Sequence, residues 1–342
     1  MSANGCEWKM IKKDIEISLS EKEIILGEFD HPVGKGPWNT VILFHGSGPS
    51  DKHATVKIGD KIISQNFDIL TEKLVKAGFA VFRYDKRGSF FIDKIISDAR
   101  VVVKYVSSVK EVNNLFFYGW SQGVQVATAM AKGFSKVKGM ILHAGIAEGW
   151  SSYFSYILEE LVVCKLKQLD KDNDGVLQIT DFENFVPAPT SVSFALYLMV
   201  LKVLEHGKIG FNKAIDPKAT GKFSIEEDWI PLAKAIVRDP TLLKEFTTEA
   251  PSENWYGILK DIKEISVPML VIQGECDGWV SPKDANKIAK AGGKLAELCV
   301  ISGLGHSLSP TMSPLEDVGG VIDDKPLEKM QQWLLKISEN AI

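Results

Sequence analysis

Residues 114–134 read NLFFYGWSQGVQVATAMAKGF, and the interpretation of this stretch decides the fold. An apolar run of strand length, Leu115 to Tyr118, meets Gly119-Trp120-Ser121-Gln122-Gly123, and an apolar-periodic segment follows. The five residues fit G-x-S-x-G. Small residues on either side let the chain turn sharply, so the serine hydroxyl projects from the strand end toward a ligand. The pattern takes its meaning from this strand–turn–helix setting, which its mechanics require.

Working outward, the alternating stretches IEISL and EIILGEF predict an antiparallel opening hairpin. NTVILFHGSGPSD, residues 39–51, is an apolar run ending in a glycine-rich turn, and KIISQNFDILTEKLVKAG, residues 61–78, carries helical spacing up to Gly78. FAVFRYDKRG is a second buried strand, ISDARVVVKYVSSV a helix and VKGMILHAG another strand. Apolar strands alternating with amphipathic helices imply a parallel sheet covered on both faces. The rhythm breaks from Glu148 to about Ala250, where helices and one acidic loop are expected and no strands. It resumes with NWYGILKDIKEI as a helix, then VPMLVIQGECDGW, SPKDANKIAKAGG, ELCVISGLGH and PLEKMQQWLLKIS as strand, helix, strand and helix. The expected organisation is a core at 1–147 and 251–342 with an all-helical cap inserted at 148–250.

A serine nucleophile needs a base to take its proton and a carboxylate to orient that base. Asp277 and His306 follow Ser121 in the chain, each just past the end of an apolar strand. Ligands bind at that edge of such sheets. Glu148 is a competing acid, whereas Asp85 precedes the nucleophile; His45 and His143 are read as turn-ordering and packed histidines. An oxyanion needs N–H donors. The expected ones are Gln122, which follows the nucleophile, and Ser47 in the turn His45-Gly46-Ser47-Gly48, with Gly46 the close alternative.

Hydrophobic residues make up 45% and charged residues 25% of the 342, so a large soluble domain with an insertion is accommodated. The net charge of −4 supplies no basic field for nucleic acid or anionic lipid. No window has the apolar length of a membrane span, and the N-terminus lacks a secretory h-region. Cys6, Cys164, Cys276 and Cys299 are scattered, as in a reducing cytoplasm, which is the expected location.

The motifs HGSGPSD, RYDKRG, GWSQG, GECDGWVSP and GLGHS occur in the order found in the α/β-hydrolase superfamily, and the chain resembles it over roughly residues 10–147 and 250–340. The first two are similar to those of serine esterases and acyl-thioester hydrolases near the dienelactone hydrolases and lysophospholipase-like enzymes. The resemblance implies an eight-stranded, mostly parallel sheet, a cap inserted after the sixth strand and no organic cofactor. It also implies Ser121 as nucleophile, Asp277 as acid and His306 as base. One departure is that Gly88 runs through SFFID directly into helix, where relatives carry a longer glycine-containing loop.

Residues 170–181, DKDNDGVLQITD, have the spacing of a calcium loop: Asp170, Asp172 and Asp174 at positions 1, 3 and 5, Gly175 at the turn, the Val176 carbonyl at 7 and Asp181 at 12. Apolar stripes on both sides make it an EF-hand-like helix–loop–helix, with calcium or magnesium as the expected ion. A second loop, 216–227, keeps Asp216, Gly221, Phe223 and Glu227 but places Lys218 at a ligand position. An ammonium there offers no oxygen. This loop is expected to pair its short strand with the first, Phe223 against Leu177. Two functions of different class stand at this point. One is a serine hydrolase acting on a small ester or thioester, with acyl transfer or peptide hydrolysis open to the same triad. The other is a calcium-responsive interaction protein on a hydrolase scaffold.

Overall fold

The computed structural model describes residues 9–87, 92–183, 185–186, 188–203, 208–246 and 257–339. The core opens with β1 (Met10–Ser18), β2 (Ile24–Pro32), β3 (Trp38–Phe44), β4 (Thr55–Ile58), β5 (Lys61–Gln65) and α1 (Asn66–Lys76). There follow β6 (Ala80–Tyr84), α2 (Ile92–Ser108), β7 (Val112–Trp120), α3 (Gln122–Ala131) and β8 (Val137–His143). The chain then leaves the sheet for α4 (Trp150–Phe154), α5 (Val162–Leu169), β9 (Val176–Gln178), α6 (Ser191–Ala195), β10 (Leu201–Val203), β11 (Ile209–Phe211), β12 (Lys222–Ser224) and α7 (Ile230–Arg238). It returns with α8 (Leu259–Glu264), β13 (Met269–Gly274), α9 (Pro282–Gly292), β14 (Ala296–Ile301) and α10 (Asp324–Glu339).

Eight strands form one sheet in the order β1-β2-β6-β3-β7-β8-β13-β14. The opening hairpin pairs antiparallel, β2 meets β6 antiparallel, and the strands from β6 to β14 run parallel. Successive side chains alternate faces. Ile42, Phe44, Phe117 and Leu142 pack with Val102, Val106 and Val124 of α2 and α3. Val41, Leu43, Phe116 and Tyr118 pack on the other side with Leu70 and Leu74 of α1 and with Met330 and Trp333 of α10. Coverage of both faces explains why these strands read as continuous apolar runs rather than as alternation. Each large apolar side chain so sealed contributes about 1.5–3 kcal/mol. The sheet is the eight-stranded, mostly parallel one expected, and the inserted segment follows its sixth strand.

The insertion has its own core, with Tyr156, Leu166, Leu177, Val200, Phe223 and Trp229 among the buried residues. Trp229 is fully buried, and its indole N–H donates to Leu158 O at 3.0 Å, so the largest side chain of the cluster leaves no polar group unpaired. The insertion is not all-helical, contrary to the pattern reading: β9 pairs with β12, and β10 with β11. Strands of three residues are too short to show a period of two. Leu177 stands opposite Phe223, the register expected of the two loops. A further correction concerns residues 61–65, read as the start of a helix. They form β5, which closes a hairpin with β4, and α1 begins at Asn66. The C-terminal cap boundary near 250 and the SFFID departure at 88–91 fall outside the described residues.

Candidate active site

Ser121 sits between β7 and α3 with φ 54° and ψ −119°, a conformation an L-residue adopts only when its surroundings impose it. The imposition is visible at Gly123, where an added Cβ would lie 2.2 Å from Phe44 O. The first turn of α3 is pressed against the end of β3 so closely that only glycine fits, and the serine is thrust outward. Its N–H donates to His143 O at 2.8 Å, which ties the elbow to the neighbouring strand.

Asp277 is fully buried in the turn after β13, and both its oxygens are engaged. Oδ1 accepts from the backbone N–H groups of Trp279 at 2.7 Å and Val280 at 2.8 Å. Oδ2 accepts from Gln273 Nε2 at 2.6 Å and from His306 Nδ1 at 2.8 Å. A carboxylate only accepts, so Nδ1 carries the hydrogen and Nε2 of His306 is the free lone pair. Two indoles stand near the imidazole, Trp120 at 5.7 Å and Trp279 at 6.3 Å between ring centroids, and Trp120 Nε1 donates to His306 O at 3.2 Å. The residue beside the serine therefore touches the backbone of the histidine. Burial depresses the His306 pKa, but Asp277, by charge and hydrogen bond, and then Asp317 outweigh it and hold the pKa above the ordinary value.

Asp317 was not legible in the sequence. It is 1% exposed, and its Oδ2 accepts from the backbone N–H of His306 at 2.7 Å and of Gly278 at 2.9 Å. One oxygen thus fixes both the loop of the acid and the loop of the base. The insertion grips the same place: Tyr156 Oη donates to Asp277 O at 2.6 Å, and Ser191 Oγ donates to Gly278 O.

The competing residues are otherwise occupied. Glu148 is exposed and pairs with Lys287. Asp85 accepts from Lys52 N at 2.7 Å. His45 Nε2 donates to Tyr84 O at 2.7 Å, and burial lowers its pKa to about 4, so it orders the turn as a neutral ring. His143 bonds Tyr118 Oη through Nδ1 at 2.6 Å and is held neutral by burial, with a pKa of about 3. At the expected oxyanion donors, Gly46 lies against Ser121, an added Cβ falling 3.4 Å from Ser121 Cβ, while Ser47 is exposed at the rim and Gln122 opens α3.

In the acidic loop, Asp170, Asp172 and Asp174 bring carboxylate oxygens within 4.8 Å of one another. Asp170 is 7% exposed; its Oδ2 accepts from Gly175 N at 2.9 Å, while Oδ1 has no hydrogen-bond partner among the described residues. Asp172 is raised in pKa, chiefly because a proton is needed for it to bond Asp170, and further by burial and by Asp174. Val176 opens β9. Asp181 stands apart from the cluster, its Oδ2 accepting from Gln178 N at 2.8 Å. The second loop shares the backbone, with positive φ at Ala219 and Gly221 as at Asn173 and Gly175. Both oxygens of Asp216 are spent within that loop, however, on Thr220 and Gly221. A separate apolar groove of about 410 Å3, lined by Phe182, Phe185, Tyr197, Leu201, Ile209 and Phe246 among others, shares no residue with the triad.

No protein-family model matches the chain. Over 93% of its length it is 24% identical to Esterase EstD of Thermotoga maritima, 68% of which is covered. Among solved structures, the Pyrococcus furiosus esterase Pf2001 aligns with TM-score 0.53 at 14% identity, covering 96% of this chain and 93% of that one. DcsB, solved with a substrate analogue, aligns with TM-score 0.53 at 16% identity over 96% of this chain and all of its own. Est1E from Butyrivibrio proteoclasticus gives 0.50 at 14%, over 95% and 99%. Among the described residues no helix is long and apolar enough to cross a membrane. The chain is a hydrolase of the α/β-hydrolase fold, similar in sequence to an esterase.

Proposed function

We propose that the chain is a serine hydrolase that cleaves a small carboxylic ester or thioester through an acyl-enzyme, with a calcium-binding loop in its cap. The observation that carries the reading is the His306 Nδ1–Asp277 Oδ2 bond of 2.8 Å, made by a fully buried carboxylate whose other oxygen is already committed to backbone N–H groups. That arrangement fixes the imidazole in the tautomer that leaves Nε2 basic. In the reaction, Nε2 takes the Ser121 hydroxyl proton as Oγ bonds the acyl carbon, and the carbonyl oxygen becomes an oxyanion held by the N–H groups of Ser47 and Gln122. The tetrahedral species collapses, the bond to the leaving oxygen or sulfur breaks, and His306 protonates that atom. Water then repeats the sequence, with His306 taking its proton and returning one to Oγ. The relative named as an esterase supports this class of substrate.

The loop at 170–176 fits a hard cation. An unpartnered, buried carboxylate oxygen at Asp170 and the crowding of carboxylates that raises the Asp172 pKa are what a divalent ion relieves. Asp170, Asp172, Asp174 and the Val176 carbonyl would hold it. Asp181 joins only by giving up the Gln178 N–H. The ion would neutralise this loop and has no part in the acyl chemistry.

The decisive experiment is reaction of the folded protein with a fluorophosphonate, followed by mapping of the adduct. Labelling at Ser121, lost in Ser121→Ala along with turnover of p-nitrophenyl esters, is the expected result. An intact fold without the adduct refutes the reading.

A further inference from the structure

Lys86 follows β6 and is only 7% exposed. Its ammonium has two neutral acceptors: Nζ donates to Gly46 O at 2.7 Å and to Gln122 Oε1 at 2.7 Å. One acceptor belongs to the glycine turn after β3, and the other to the residue after the nucleophile. These are the two backbone segments that border Ser121 on the sides where a developing oxyanion would sit. Lys86 is bound to the turn a second time, since its own N–H donates to Ser50 O at 2.8 Å.

The geometry of a planar trans peptide gives this contact a consequence. The carbonyl of residue 46 and the N–H of residue 47 belong to one peptide unit and point in opposite directions. With Gly46 O drawn inward onto the buried ammonium, the Ser47 N–H is turned outward, toward the rim where Ser47 is exposed. On the other segment, the Gln122 side chain is drawn inward onto the same ammonium. Its backbone N–H, in the first turn of α3, has no intrahelical acceptor. Both donors are thereby freed and aimed from a single point beneath them.

We propose that Lys86 is a positioning residue that orients the two oxyanion donors, Ser47 N–H and Gln122 N–H, without touching substrate. The role rests on the serine-hydrolase reading given above. Burial also lowers the Lys86 pKa to about 7, in keeping with an amine held by hydrogen-bond geometry rather than by an opposing charge.

The test is Lys86→Met, which keeps the apolar stem and removes the donors. Orientation matters in the transition state and not in ground-state binding. Loss of one oxyanion donor costs roughly 10²–10³ in kcat, so kcat should fall about 10- to 100-fold. KM should change by less than about threefold, and fluorophosphonate labelling of Ser121 should slow by the same factor as kcat. A folded Lys86→Met protein with wild-type kcat and labelling rate, or with its loss confined to KM, overturns the proposal. Should that variant fail to fold, Ser47→Pro carries the test, because it deletes the N–H that Lys86 is held to aim while changing an exposed residue. A fall in kcat of about 10²-fold or more at unchanged KM supports the proposal, and retained activity overturns it. Failure of wild-type protein to label at Ser121 is a different result, which removes the serine-hydrolase reading and this proposal together.

Discussion

Asp317→Asn changes one atom and tests how the site is held. In the native protein Oδ2 receives the N–H groups of His306 and Gly278, and Oδ1 receives that of Gly319 at 3.3 Å. The amide keeps one oxygen for the two shorter bonds but presents an NH2 to Gly319, donor against donor. Hydrogen bonds to a charged acceptor are worth about 1.5–3 kcal/mol and roughly twice their neutral counterparts. The two retained bonds each lose about 1 kcal/mol and the third is lost, about 3 kcal/mol in all. An unfolding entropy of about 2.1 cal/mol/K per residue gives about 0.7 kcal/mol/K for 342 residues, so Tm should fall by about 4 °C. The catalytic signature is separate. Asp317 helps to hold the His306 pKa above its ordinary value, and His306 must be neutral to act as base. Removing the charge lowers that pKa, so the acid limb of kcat/KM should move to lower pH. A pH profile with a p-nitrophenyl ester, beside thermal melts, measures both. An acid limb that stays in place or moves upward refutes the electrostatic argument, and an unchanged Tm refutes the bracing one.

Calcium at about 100 times its Kd should stabilise the wild-type protein by about 2.7 kcal/mol, close to 4 °C in Tm. Asp170→Ala should abolish that rise, whereas Asp216→Ala should keep it. A wild-type melt indifferent to millimolar calcium would show a metal-free turn. Gly123→Ala should lose more than about 4 kcal/mol, because its Cβ meets the backbone oxygens of Phe44 and His45 at 2.2 and 2.8 Å. Soluble protein with a wild-type Tm would contradict the tight crossing of β3 and α3.

The residues legible beforehand were those whose place follows from a strand end. Ser121, Asp277 and His306 each sit where an apolar run stops, and the chain order of a nucleophile elbow left little choice among them. Lys86 and Asp317 carry no such mark, because their significance lies in backbone groups far away in the chain that the fold brings to them. The loops at 170 and 216 were legible as a pair because spacing fixes which residue faces which across β9 and β12. Spacing could not show that Asp181 would cap Gln178 instead of joining the other aspartates. The strands β10 and β11 and the β4–β5 hairpin were missed for lack of length, and Ile62, Ile63 and Ser64 serve a strand as readily as the first turn of a helix.

Two of the contacts between the insertion and the core fall on one turn. Tyr156 and Ser191 hold the carbonyls of Asp277 and Gly278, neighbours in the turn that orients the imidazole. An insertion attached there cannot move away as a rigid body without breaking both bonds and loosening the turn that carries Asp277. The insertion is therefore fastened to the core at the turn that carries Asp277. Exchanging the insertion for another of similar size would therefore also remove two hydrogen bonds from the turn that holds the Asp277–His306 pair.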